Sequence, residues 1–242
     1  MIIYDGVSID RIANVRIEDI RVSPIALNPV SRPRAIRFGS DFVRMGGGQR
    51  TISVTFAVPD RNQYNRHASL MALTEWAKND KEYMLELPED PMRALWCVCT
   101  ARPEPSLRQW WESKLRLVFT CFDNPYWTSK TEKSVTCGTA FHVLGDAPPL
   151  MRIERTVSGS AASNQTYTMT VPQGSSSLVL QSMTFSTIPV GSMVIDLNRQ
   201  TAAVGNTSIM QYYAPSGSFL IPRTGTQMIA GTGTVKYRER RE

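Results

Sequence analysis

Apolar and polar residues alternate with period two at several places in the first 142 residues, the spacing of strands that bury one face. Ile52, Val54, Phe56 and Val58 alternate with Thr51, Ser53, Thr55 and Ala57, and residues 84–87, 95–100 and 114–122 read the same way. Between the first two runs the pattern lengthens. Tyr64 to Asn79 continue without Gly or Pro, Asp60 stands as a capping residue and Gln63 follows three positions on, which predicts one helix over residues 61–79. On a 3.6-residue wheel Tyr64, Ala68, Met71, Ala72 and Trp76 form a broad stripe that Leu70, Leu73 and Ala77 extend, leaving His67, Thr74 and Lys78 a narrow polar edge. Such a helix needs cover on more than one side. Either it packs across a sheet, the usual duty of a lone helix, or its second apolar face meets another subunit. Trp76, Phe56, Leu117 and Phe119 are the expected core of this region.

Residues 25–50 carry prolines, five arginines and a triple glycine with no sustained period, and read as an extended arm or long hairpin. Beyond residue 143 the texture changes to short strands crowded with Ser, Thr and Gly: YTMTV (167–171), SLVL (177–180), MVIDL (193–197), TAAV (201–204), SFLI (218–221) and GTVKYRER (233–240). Regular short strands without a helix indicate an antiparallel sandwich or barrel. Leu144-Gly-Asp-Ala-Pro-Pro149 is the expected linker, since paired prolines can continue neither a helix nor a central strand, so the predicted domains are 1–142 and 143–242. The fold class is mainly β, with an N-terminal β-sandwich or barrel flanked by one α-helix and a second antiparallel β domain.

Composition alters this picture little. The 242 residues are 42% apolar and 20% charged, ordinary globular values that let a core form without disulfides or metals. The net charge of +6 is spread among acids along the chain except at Lys236–Arg241, which speaks for solubility before nucleic-acid binding. The opening MIIYDGVSIDRI has no basic stretch followed by an apolar run, and no later window reaches a membrane span, so synthesis in a reducing cytosol is expected, with neither export nor anchoring. Four cysteines are too sparse for a disulfide scaffold; Cys97 and Cys99 in WCVC read as core thiols.

Chemistry is hard to find. Gly46-Gly47-Gly48 runs into Gln49, Arg50 and a strand rather than Lys, Ser and a helix, so a phosphate-binding loop fails on residues and context. His67 and His142 stand in no catalytic motif, and Cys97, Cys99, Cys121, Cys137 and His142 lack the spacing of a zinc knuckle. Glu89-Asp90 in LPEDP reads as a turn, and Trp110 and Trp111 as one core and one interface residue. No catalytic, metal or cofactor site is expected.

The strand QRTISVTFAV, a helix ending in LTEWAKND, the element LELPEDP, the strand LVFTCFDNPYW, and then GSMVIDLNRQTAAVGN followed by SFLIP together resemble, in order and spacing, the distal tail proteins (Dit) of long-tailed, siphovirus-like bacteriophages. The resemblance covers nearly the whole chain. It implies a non-enzymatic virion protein whose N-terminal domain forms a hexameric ring, single or as two stacked rings, at the distal end of the tail tube. It also implies a galectin-like C-terminal sandwich pointing outward. The ring would join the tube protein to the tail-tip or baseplate hub and leave a lumen through which DNA passes without specific binding, the surplus arginines facing subunit contacts or the outside. Phe38, Phe42, Arg44, Met45, Gly46, Gly47 and Gly48 of the arm are then the candidate subunit contacts. Two other readings stand beside it, a two-domain lectin whose sandwich binds sugar and the tail tube protein itself.

Overall fold

The structure is a computed structural model that describes residues 1–26, 28–33, 40–46, 48–101, 112–173, 176–214 and 218–242, with backbone alone at 28–33, 40–46, 112, 172–173 and 176–177. The chain divides into two compact units, Met1–Trp127 with Glu242, and Thr128–Arg241. It is mainly β, with antiparallel pairing and one α-helix among the described residues.

The first unit contains Ile3–Tyr4 (β1), Val7–Ser8 (β2), Arg16–Val22 (β3), Asn28–Pro33 (β4), Ser40–Gly46 (β5), Arg50–Pro59 (β6), the helix Gln63–Trp76 (α1), Tyr83–Glu86 (β7), Arg93–Ala101 (β8) and Glu112–Cys121 (β9). Seven of these strands pair in the order β3-β6-β9-β8-β7-β1-β2. The period-two pattern explains the central strands. Ile52, Val54, Phe56 and Val58 lie opposite Phe119, Leu117, Leu115 and Ser113, and both rows turn to one core. Phe56, Leu117 and Phe119 are fully buried, whereas Trp76 sits half-buried at the core's margin. The Trp76 ring meets Tyr4, Phe56 and Phe119 edge-on, and its Nε1 donates to the Val7 carbonyl at 3.1 Å. Tyr4 adds a hydrogen bond from its hydroxyl to the Cys97 carbonyl, and burial pushes its phenol up to about 12.

The helix begins later than its sequence suggests. Asn62, not Asp60, is the N-cap, accepting from Tyr64 N at 2.9 Å, while Asp60 accepts from Asn62 N at 2.8 Å. Its rotation also differs from the expected stripe. Arg66, Leu70, Leu73 and Ala77 face the core, whereas Tyr64, Ala68 and Met71 are turned to solvent. Arg66 also donates to the Asp60 carbonyl just ahead of the helix.

After Trp127–Ser129 (β10), the second unit runs Lys133–Thr136 (β11), Ala140–Val143 (β12), Ala147–Val157 (β13), Ala162–Gln173 (β14), Ser176–Ile188 (β15), Gly191–Asp196 (β16), Thr201–Val204 (β17), Thr207–Ser208 (β18), Gly225–Ala230 (β19) and Thr234–Arg241 (β20). One sheet pairs β11 and β13 with β20 and continues through β16 and β17 to β18; the other has the order β12-β19-β14-β15. Side chains from both sheets, among them Ile153, Ile195 and Val235 from one and Met169, Phe185 and Ile229 from the other, make one buried cluster, so the unit is a β-sandwich.

Two segments depart from their sequence reading. Pro148 and Pro149, expected in a linker, lie inside β13 where its register with β20 shifts between Ala147 and Leu150, and residues 128–143 fold with the second unit. A proline is tolerated where the ladder is interrupted. Asn198 completes the repair: its side chain donates to the Pro149 carbonyl at 2.9 Å and accepts from Met151 N at 2.7 Å. SFLI (218–221) is not a strand, although Leu220 is buried; Ile221 N donates instead to the Gln181 side chain at 2.7 Å.

Candidate functional site

The expected arm exists in part as a two-stranded ribbon. β4 and β5 pair antiparallel from Asn28↔Gly46 to Pro33↔Ser40, with a register shift after Val30, and join no third strand among the described residues. Phe42, Arg44, Met45 and Gly46 lie on β5; Phe38 and Gly47, like Trp110 and Trp111, lie outside the described residues. The base of the ribbon is built firmly. Ser23 N donates to the Thr51 carbonyl and Thr51 N to the Ser23 hydroxyl, both at 2.9 Å, and Ala26 N donates to the Gln49 carbonyl at 3.0 Å. Gly48 is buried there with the Ala26 carbonyl in the space a Cβ would occupy, so only glycine lets the two chains approach.

A second surface of the same unit is the outer face of α1. Tyr64 is 81% and Met71 48% exposed, with Ala68 between them at helical spacing. Their position opposite Leu70, Leu73 and Ala77 means that the fold has already used the other face. An apolar stripe that a sheet does not cover is what a protein–protein contact uses.

The second unit offers a different surface. On the outer face of its larger sheet Arg152 donates to Glu154 at 2.6 Å and pairs with Glu132 at 2.8 Å, while Lys236 pairs with Glu154 at 2.7 Å. The Lys236 and Arg152 hydrogen bonds hold the Glu154 carboxyl below its ordinary value. Beside this network lies an open groove of about 610 Å³ lined by Ser134, Glu154, Arg155, Thr156, Ser192 and Lys236 together with other polar and aliphatic residues. Among the described residues lining it none is aromatic.

Catalytic arrangements are not assembled from the sequence candidates. His67 is exposed on α1, and His142 Nδ1 shares a 2.8 Å hydrogen bond with the Thr226 hydroxyl at the surface. Among the described residues no group of three or more His, Cys, Asp or Glu could hold a metal ion. The four cysteines are free thiols, three of them buried. Sequence reading did not find the exposed face of α1 as distinct from its buried face, nor the charged network, whose members are scattered from Glu132 to Arg238 and meet only through strand register.

No protein-family model matches the chain, and no curated protein does. Among solved structures the chain is similar to the Dit protein of phage SPP1, described as a paradigm of the hub adsorption apparatus in phages that infect Gram-positive hosts. The identity is 17% and the TM-score 0.70 over 99% of this chain and 98% of that one. It is also similar to a chain of the phage P2 baseplate in its activated, calcium-bound conformation, with 10% identity and a TM-score of 0.50 over 94% and 90%. These identities establish likeness of architecture, and across nearly its whole length this chain has the Dit fold.

Proposed function

We propose that this protein is a distal tail protein: a non-enzymatic hub that forms a hexameric ring at the end of a phage tail tube. The ring joins the tube protein to the tail-tip or baseplate proteins and leaves an open channel for DNA. It works in the virion and is made in the host cytoplasm. The observation that carries this reading is the fold match to the SPP1 Dit protein, which spans both units rather than one common β domain. Two features of the first unit support it. Among the described residues the ribbon β4–β5 pairs with no third strand, and α1 keeps an apolar stripe outward. A ring needs two different patches per subunit, one to give and one to receive, and these are two such patches. The second unit, whose outer charges are mutually paired, faces outward as a spacer or a docking platform.

Light scattering across a dilution series, with negative-stain images of the same fractions, tests the reading. A hexamer or doubled hexamer with a central hole is expected. A monomer at every concentration, alone and mixed with isolated tail tubes, would overturn it.

A further inference from the structure

The row of residues at one end of the first unit's sheet brings two thiols and an arginine together. β8 and β9 pair with Val98 opposite Thr120 and Cys99 opposite Phe119, so the same register sets Cys97 opposite Cys121. Across β9 on its other side Arg50 stands opposite Cys121. Residues directly opposite in an antiparallel pair have side chains on one face and Cα atoms about 4.5–5.5 Å apart, inside the roughly 4.4–6.8 Å that a disulfide spans. The Cys97 and Cys121 thiols are already within hydrogen-bonding reach of each other, and neither is exposed.

Arg50 is unusual in this setting. It is 5% exposed, and among the described residues its Nε and Nη1 have no hydrogen-bond partner. Burial pushes the guanidinium below its ordinary value, and the neighbouring Cys121 works in the opposite direction. This guanidinium, which also has Glu242 and Tyr126 near it, eases loss of a neighbouring thiol proton as the sulfur attacks. Burial pushes the Cys97 thiol well up, which leaves it as the proton-bearing partner.

We propose that Cys97 and Cys121 form an oxidisable dithiol, a modification site that a hydroperoxide converts into a cross-strand disulfide between β8 and β9. The Cys121 sulfur, beside Arg50, gives up its proton and attacks one peroxide oxygen. The O–O bond breaks, leaving a sulfenic acid on Cys121 and hydroxide that takes up the proton lost from the Cys121 thiol. The Cys97 sulfur then attacks the Cys121 sulfur; the S–O bond breaks, the S–S bond forms, and the Cys97 proton leaves with the departing hydroxide as water. Two thiols are oxidised by two electrons, and one peroxide is reduced to two waters. Access comes from the strand ends. Cys121 is the last residue of β9 and Arg50 the first of β6, so fraying there exposes the sulfur without unfolding the unit. Glu82 slows that fraying by accepting from Phe122 N at 2.6 Å. In a reducing compartment the pair stays as thiols; outside it, the disulfide ties the two strands together.

The test uses the intact wild-type protein and hydrogen peroxide. After exposure and quenching, the chain is denatured, its thiols are counted, and a non-reducing digest is mapped by mass spectrometry. Loss of two of the four thiols, with one Cys97–Cys121 cross-link that dithiothreitol reverses, is expected. Cys99→Ser keeps the cross-link, and Arg50→Met slows its formation about tenfold. Four thiols surviving peroxide that fully oxidises glutathione, or a cross-link through Cys99 or Cys137, would overturn the site. An unchanged rate in Arg50→Met would overturn the assignment of Cys121 as the attacking sulfur.

Discussion

The two units are built from similar strands but differ in what they leave on their surfaces. In the second unit the outward positions of β13 and β20 carry Arg152, Glu154, Lys236 and Arg238, and these meet one another or Glu132 in ion pairs. In the first unit the outward face of α1 carries Tyr64, Ala68 and Met71 beside the Glu75–Lys78 pair, and among the described residues the ribbon has no third strand. The two faces differ in kind, although each unit also carries the other sort of feature, with ion pairs such as Lys114–Glu18 in the first and exposed aliphatics such as Leu178 and Val179 in the second. On the proposed ring reading, the outer face of α1 is where association would gain most, because apolar area still in water contributes on contact and charges already paired contribute little.

The comparison rests first on two separate cores, and breaking one should leave the other standing. Phe119 is fully buried in the first cluster and Phe185 in the second. Phe119→Ala should lower the stability of the first unit by about 3–5 kcal/mol, and Phe185→Ala that of the second by a similar amount. Calorimetry of the wild type and both variants should show each substitution moving a different transition. A single transition shifted equally by both would mean that the units unfold as one.

Next in size is the base of the ribbon. A Cβ on Gly48 would meet the Ala26 carbonyl, which is held by the adjoining Ala26–Gln49 hydrogen bond. Gly48→Ala should therefore cost about 1–3 kcal/mol, the range of overpacking in a tight site, and should accelerate proteolysis within residues 25–50. Unchanged melting and cleavage would show that the base has room to shift.

The apolar stripe predicts the opposite combination. Tyr64→Ser with Met71→Ser should change the melting stability of the chain by no more than about 0.5 kcal/mol, since both residues are exposed in the single chain. If the stripe is a subunit contact, ring dissociation should become at least about tenfold easier, because each side chain removes apolar area worth more than 1 kcal/mol when fully buried. Equal dissociation midpoints for variant and wild type by dilution light scattering would remove α1 from the interface and leave the ribbon as the contact.

Much of this architecture was legible because the code of the central strands is local. Ile52, Val54, Phe56 and Val58 announce their strand and its buried face by alternation alone. The helix was legible as a helix but not in its orientation, since apolar residues surround most of its circumference and the choice fell to the packing of Leu70, Leu73 and Ala77 against the sheet. Pro148-Pro149 misled as a linker because the register shift that accommodates them depends on β20, almost a hundred residues away in sequence. The β4–β5 ribbon was legible as an extended arm or long hairpin but not in its bounds or register, because prolines and arginines break the alternation that normally marks a strand. The opposition of Cys97 and Cys121 is a fact of register between two strands, and no spacing rule within one strand contains it.

The smallest effect tests the completeness of the second unit's surface. Glu154 accepts from Lys236 and Arg152, and its side chain is 31% exposed, so solvent screens the pair and Glu154→Gln should cost less than about 1 kcal/mol at pH 7. The dependence on pH follows from the direction of the shift. Lys236 first, then Arg152, hold the folded carboxyl below its ordinary 4.5, so the charged form is favoured by folding. That contribution is fully present above the unfolded value near 4.5 and is lost as pH falls through the lower folded value. Denaturant titrations of wild type and Glu154→Gln should therefore run apart by a small constant amount at neutral pH and converge in the acid range below 4.5. Curves that stay apart at the lowest pH would mean that Glu154 contributes through packing rather than charge, and the contrast between the ion-paired face of the second unit and the apolar stripe of α1 would lose one of its two sides.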